Sequence, residues 1–335
     1  MSLLKGCLRL VSLLACAMLP AALNAHWWAG SQTTAGSAPI ILSGLAPSLV
    51  RSFAATGHQA LITAPLGPPQ GKLDPALEAF LEGHADFALL TREISEADLA
   101  TYRSYHGGRR PMILPIAGGR WDRFGYADAV VVIVNRDNPI RSLSFRQIDA
   151  IFSATRYRGD KAAMRWGDIG LRGPWKYRPI RLAGSGAWTP EESARALTIK
   201  RQILSVGKRS GRWRPGAQAG DEATVVEQVG RDKGAIGFTG MGHIAPGARV
   251  VPVSGAHGPA VAPSRASARD GTYPLLRTVD ILVDARHASP GTVNWVRFLI
   301  TPEAQRTIAV QGDFMPLAPP QLARARRLAA QLRCR

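Results

Sequence analysis

Cysteine is nearly absent from this chain of 335 residues: there are three, and two of them, Cys7 and Cys16, lie close to the N-terminus. If a leader over 1–25 is removed, Cys334 alone remains, which excludes an internal disulfide framework and a thiolate metal cluster. Acidic residues are also scarce, 24 against 42 Lys and Arg, leaving a net charge of +18. Aromatic residues make up only 7 %. No zinc-finger spacing, RNA-binding aromatic signature or lysine-rich tract accompanies the basic charge. It therefore reads as a long-range field that attracts anions, and no nucleic-acid partner is expected. After the leader, no apolar run is long enough to cross a bilayer. No internal repeat or long low-complexity tract is present.

What is present fits a globular chain of two domains: 46 % hydrophobic and 20 % charged residues, with abundant Gly (34) and Pro (24) for turns. Lys5 and Arg9, the apolar run Leu10 to Leu19 and the site Leu23-Asn24-Ala25 predict a signal peptide over 1–25 and export to the periplasm. A rival reading takes Leu13-Leu14-Ala15-Cys16 as a lipid-anchoring signal at Cys16. Residues 26–38 read as a polar lead-in.

From Pro39 onward short apolar runs alternate with helical patterns, which predicts an α/β fold. The expected strands are Ile40–Ser43, Ala60–Thr63, Asp86–Leu90, Ala129–Asn135, Ile180–Ala183, Ala235–Phe238, Arg249–Val253 and Val279–Val283. Helix starts are marked by Asp74-Pro75, by Ser144 with Gln147, by Thr189-Pro190 and by Thr301-Pro302. Ala256–Gly271 reads as a loop. The C-terminal stretch 320–335 predicts a basic amphipathic helix with Leu322, Ala325, Leu328, Ala329 and Leu332 on one face, packed on the protein surface.

Three strand ends carry anion-binding chemistry. Arg181 lies in the expected strand Ile180–Ala183, which runs into Gly184-Ser185-Gly186, where free backbone N–H groups, a hydroxyl and a guanidinium suit an oxyanion. An ordinary tight turn has the same pattern. Ser43-Gly44 and Thr91-Arg92 are the other two. Ligands of open α/β sheets bind at such carboxyl ends. A serine hydrolase is disfavoured, because Ala183 and Ala187 stand where a nucleophile elbow around Ser185 needs glycine. The histidines form no triad pattern.

Several stretches, in order, resemble the phosphate-binding, PstS-like substrate-binding proteins of ABC importers. They are Asp128 to Asn135 with Asn138-Pro139, Trp166-Gly167-Asp168, Gly234-Ala235-Ile236-Gly237-Phe238, Tyr273-Pro274-Leu275, Thr301 to Gln305, and Gly312 to Leu317. The resemblance implies a type II-like periplasmic-binding-protein fold with a ligand cleft between two lobes and two hinge crossings. Lobe one would comprise 39–125 and 273–319, and lobe two 126–271. It implies a monomer without cofactor, metal or catalysis, which captures inorganic phosphate or a similar oxyanion for an ABC permease in the membrane. The alternative is a receptor or signalling protein of the same fold with weak or lost anion binding. The residues that match the family's anion loop are Arg181, Ser185 and Gly186, with Ser43, Gly44, Thr91 and Arg92 from lobe one. Departures are Ala183 and Ala187 in that loop, Thr91 where relatives carry Asp, and a second loop, Pro65 to Lys72, without serine. Loss of those carboxylates predicts weakened discrimination against sulfate, with Glu93 a substitute acceptor.

Overall fold

The computed structural model describes residues 33–63, 75–185, 193–215, 218–220 and 222–333. The expected signal peptide over 1–25, the Pro65 to Lys72 stretch, Gly186, the expected helix start at Thr189-Pro190 and Cys334 lie outside the described residues.

Continuous β-branched runs produce strands buried on both faces, and two five-stranded sheets result. The first has the order β2-β1-β3-β12-β4, built from β1 (Thr33–Ser37), β2 (Gln59–Thr63), β3 (Phe87–Leu90), β4 (Met112–Gly118) and β12 (Thr278–Val283). The second has the order β10-β5-β9-β7-β8, built from β5 (Val130–Asn135), β7 (Arg181–Ser185), β8 (Gln218–Gly220), β9 (Ala235–Gly240) and β10 (Ala248–Val251). A two-residue parallel ladder joins β6 (Leu143–Ser144) to β11 (Val253–Ser254).

The two sheets share one plan. Three parallel strands are followed by an antiparallel strand delivered from the other half of the chain, β12 in the first sheet and β5 in the second. Each sheet with its helices makes one lobe. The first carries α1 (Leu45–Ala54), α2 (Pro75–Leu81), α3 (Glu96–Tyr105), α8 (Pro290–Leu299), α9 (Pro302–Gln311) and α10 (Pro319–Ala329). The second carries α4 (Phe145–Phe152), α5 (Ala194–Ile199), α6 (Glu222–Arg231) and α7 (Arg265–Asp270).

Local chemistry explains most boundaries. Ser144 and Gln147 form the reciprocal capping box expected at α4, and Thr301 with Pro302 starts α9 as expected. Ser95 and Asp98 make a further box at α3. The predicted loop Ala256–Gly271 contains α7, capped by Ser264 and ended by Gly271 at φ 73°. The basic helix α10 packs on the first lobe through buried Ala325, Ala329 and Leu332.

The start of the chain differs from the sequence reading. Residues 33–37, expected in a polar lead-in, are the inner strand β1, between β2 and β3, and Ile40–Leu42, expected as a strand, is a short 3-10 turn. The segment Thr33-Thr34-Ala35-Gly36-Ser37 lacks large apolar residues, which is why it looks polar. Its small side chains are required: a Cβ at Gly36 would sit 2.3 Å from the ring of Phe87 in β3. Strand β4 was also unmarked, because Pro115 interrupts its apolar run. It lies on a sheet edge, where proline is tolerated, and the register slips opposite it between Val279 and Asp280.

The two crossing segments run side by side. Val130 N–H donates to Leu275 O at 3.0 Å, and the Tyr273 hydroxyl donates to Val130 O at 2.8 Å. Burial pushes the Tyr273 phenol well above its ordinary pKa, so it stays a donor. Gly119 N–H donates to Arg277 O at 3.0 Å. A Cβ at Gly119 would meet the carbonyl of Ala127 at 1.9 Å, so glycine alone permits this approach.

Candidate functional site

Charged residues beside the apolar crossing strands converge between the lobes. Asp128, just before β5, has 0 % exposure. Its carboxylate accepts from Arg195 Nη2 at 2.6 Å and from Gly242 N–H at 3.2 Å, and lies 3.9 Å from Arg277 Nη1. Arg277, just before β12, is also buried and donates to Thr91 O at 2.8 Å. Arg195 projects from α5 in the second lobe, with its guanidinium 5.0 Å over the ring of Phe124. Four chain segments that are distant in sequence thus meet at two guanidinium groups.

Glu93 completes the cluster from the first lobe. Its Oε1 accepts from the Thr198 hydroxyl of α5 at 2.5 Å, a hydrogen bond across the cleft. Its Oε2 lies 3.5 Å from Arg277 Nε. Both of those atoms are buried and neither makes a hydrogen bond. Buried charged atoms without such partners are costly in a fold and are a mark of ligand sites. The arrangement brings together what a protonated oxyanion needs: guanidinium donors, a hydroxyl and one carboxylate that accepts.

Among the described residues, the sequence-derived candidates do not form one cluster. Arg181 lies at the N-terminal end of β7, four residues from Ser185 and thus about 13 Å away along the strand. Its side chain is 69 % exposed and pairs with Asp232 at 3.1 Å. It lines a separate recess of about 470 Å³ with Arg214 and Gln228. Ser185 closes β7 through its backbone, in register with Gly220. Ser43 is exposed after the 3-10 turn, and its N–H returns to Ile40 O. Gly44 starts α1 against the end of α9, where a Cβ would lie 2.7 Å from Gln311 Nε2. The serine that ends the first strand is Ser37, buried at the carboxyl end of β1. Thr91 enters the cluster through its carbonyl, as the acceptor for Arg277.

Arg92 has a structural partner. It forks onto Asp98 with contacts of 2.7 and 3.2 Å, and Asp98 is itself the acidic half of the α3 capping box. Burial pushes the Asp98 carboxyl up, but the hydrogen bonds and charge of Arg92, with the Ser95 donors, outweigh it and hold the group below its ordinary pKa. This pair therefore stabilises the fold above the unfolded-state pKa of Asp, and the contribution fades as pH falls through the lowered native value. Arg92→Ala is expected to cost about 2 kcal/mol, measured by urea denaturation at pH 7, with the loss shrinking in acid and anion affinity unchanged.

Other motif residues serve packing. Trp166 Nε1 donates to Gly234 O at 3.0 Å, which ties the Trp-Gly-Asp segment to the start of β9. Gly237 lets β9 approach β7, since a Cβ there would lie 2.8 Å from Ala183 O. Among the described residues, no cluster of His, Cys, Asp or Glu suits a metal ion, and no helix is long and apolar enough to cross a membrane.

Comparison with known proteins agrees with this architecture. A family model described as a PBP superfamily domain matches residues 73–303. The chain belongs to the PBP superfamily. Among PBP relatives, the phosphate-binding protein PstS of Pseudomonas aeruginosa is 29 % identical over 245 residues, covering 71 % of this chain and 70 % of the relative. Protein SphX of Synechococcus elongatus is 26 % identical over 243 residues, covering 71 % and 65 %. In structure, an ABC-type phosphate transport receptor from Vibrio cholerae superimposes with a TM-score of 0.51 at 15 % identity, over 85 % of this chain and 100 % of that one. PstS from Borrelia burgdorferi gives 0.50 at 14 %, over 84 % and 98 %. These structural likenesses establish the type II PBP architecture.

Proposed function

We propose that this PBP-family protein is an extracytoplasmic solute-binding protein that captures phosphate or a related oxyanion between its lobes and delivers it to an ABC permease. The relatives named above supply the solute class. The observation that carries the reading is the buried Glu93–Arg277 contact beside Arg195 and Thr198, spanning both lobes and both crossings. Anion capture there needs no covalent step. Closure about the paired crossings would hold the ion away from water, and release would follow when the permease parts the lobes. The leader over 1–25 would direct export.

Glu93 revises the expected loss of selectivity. By the resemblance, Thr91 stands where family members often carry Asp, yet the carboxylate two residues later reaches the cleft. Phosphate near neutral pH carries a proton that Glu93 can accept, whereas sulfate offers only lone pairs. Calorimetric titration tests this: phosphate should bind and sulfate should be rejected. Equal binding of the two removes Glu93 as the discriminating group. A second reading, a receptor with weakened anion binding, draws on the same contact, because Glu93 already holds the Thr198 hydroxyl that an anion would use. Absence of any phosphate-induced thermal shift in the folded protein would favour it.

A further inference from the structure

Glu93 faces two ways. On one side it meets Arg277 and Thr198, and on the other it lines a cavity of about 780 Å³ that opens between the lobes. Inorganic phosphate needs only a small part of such a space, which falls in the range of pockets that take whole organic ligands. The cavity has a definite chemistry. Leu99 and Ile113 from the first lobe and Leu197 from the second give it apolar wall. Lys200 and Arg209 also line it, Arg209 with its guanidinium 4.5 Å over the Tyr157 ring, and Arg110 from the first lobe with Arg201 and Lys208 from the second supply further positive charge facing the same space. Arg110, Arg201 and Lys208 are exposed at the surface. Glu96 is the other acid in its lining, so cations outnumber acids there.

Resting on the oxyanion reading of the inner cluster, we infer that the ligand is larger than inorganic phosphate: an organic phosphate bearing a second anionic group. Its phosphate occupies the inner cluster, its carbon skeleton lies along the apolar wall, and its second anion meets Arg110, Arg201 and Lys208. A cation from each lobe lets that second group bridge the cleft and favour the approach of the lobes. An isolated phosphate gains nothing from this outer region beyond long-range attraction. An organic phosphate without a second charged group gains only the wall.

The test is calorimetric titration of the full-length mature protein with three probes: inorganic phosphate, glycerol 3-phosphate and 3-phosphoglycerate. 3-Phosphoglycerate should bind more tightly than the other two by about tenfold or more, the equivalent of one charge-assisted contact. The triple variant Arg110→Ala, Arg201→Ala, Lys208→Ala changes exposed residues and should keep the fold, checked by its thermal transition. It should abolish that advantage while leaving phosphate affinity within about threefold, since only screened long-range attraction is lost. Phosphate binding with no advantage for 3-phosphoglycerate, or an advantage that survives the triple substitution, overturns the inference and leaves the oxyanion reading standing. Failure of all three probes to bind overturns both.

Discussion

Replacing Asp128 with alanine should destabilise the protein by about 3–5 kcal/mol, because it strips the shared partner from two buried guanidinium groups. Asp128 is fully buried and accepts from Arg195 at 2.6 Å and from Gly242 N–H, with Arg277 alongside at 3.9 Å. The pair itself need not be worth that much against an apolar replacement of equal shape. The loss comes from leaving buried positive charge without its partner. Urea denaturation reads it as a lowered midpoint. Geometry offers a second handle on the same group. A Cβ at Gly240 would fall 1.9 Å from Asp128 Oδ2 and 2.6 Å from Arg195 Nε. Gly240→Ala should thus perturb the same cluster, and the two substitutions should be non-additive. Simple additivity would mean that Asp128 is not the hub we describe.

The second large effect concerns selectivity. Glu93→Gln removes the carboxylate that accepts from Thr198 across the cleft, and substitutes an amide that can also donate. Phosphate loses an acceptor for its proton, while sulfate loses a repelling charge and gains a donor. The ratio of phosphate to sulfate affinity should fall by about tenfold to a hundredfold, as expected for a hydrogen bond to a charged group. Competition titration with both anions measures it directly. Thermal stability of the variant must be followed in parallel, since Glu93 also accepts from Thr198. An unchanged ratio would show that selectivity resides elsewhere.

How much of this was legible in the sequence depends on which residues carry the signal. Strands β5 and β9 are buried on both faces and read as unbroken apolar runs, so their position was plain. The caps of α4 and α9 were written in Ser144-Gln147 and Thr301-Pro302. β1 escaped notice because close packing against Phe87 demands a glycine and small neighbours, the composition of a linker. That shift of the first strand moved the attention to Ser43 and Gly44, six and seven residues beyond the serine that ends β1. Arg181 sits apart from the cluster for a related reason. A strand has two ends, and the arginine sits at the one away from Ser185.

The cluster itself was only partly readable. Asp128 stood in the crossing motif and Glu93 beside Thr91-Arg92, but neither Arg195 nor Arg277 carries a local signature. They meet because β12 returns to the first sheet and β5 enters the second, so that both crossings lie under α5 and the end of β3. Only that topology makes neighbours of positions 93, 128, 195 and 277. Arg92, by contrast, had the right residue type beside the right strand end, and its charge is spent on Asp98 inside its own lobe.

A crystal structure of the protein grown with phosphate tests the central claim most directly. The account predicts phosphate between the lobes, within hydrogen-bonding distance of Glu93 and of at least one of the Arg195 and Arg277 guanidinium groups. Phosphate found instead in the recess beside Arg181 and Arg214, with the Glu93 cluster unengaged, would contradict it.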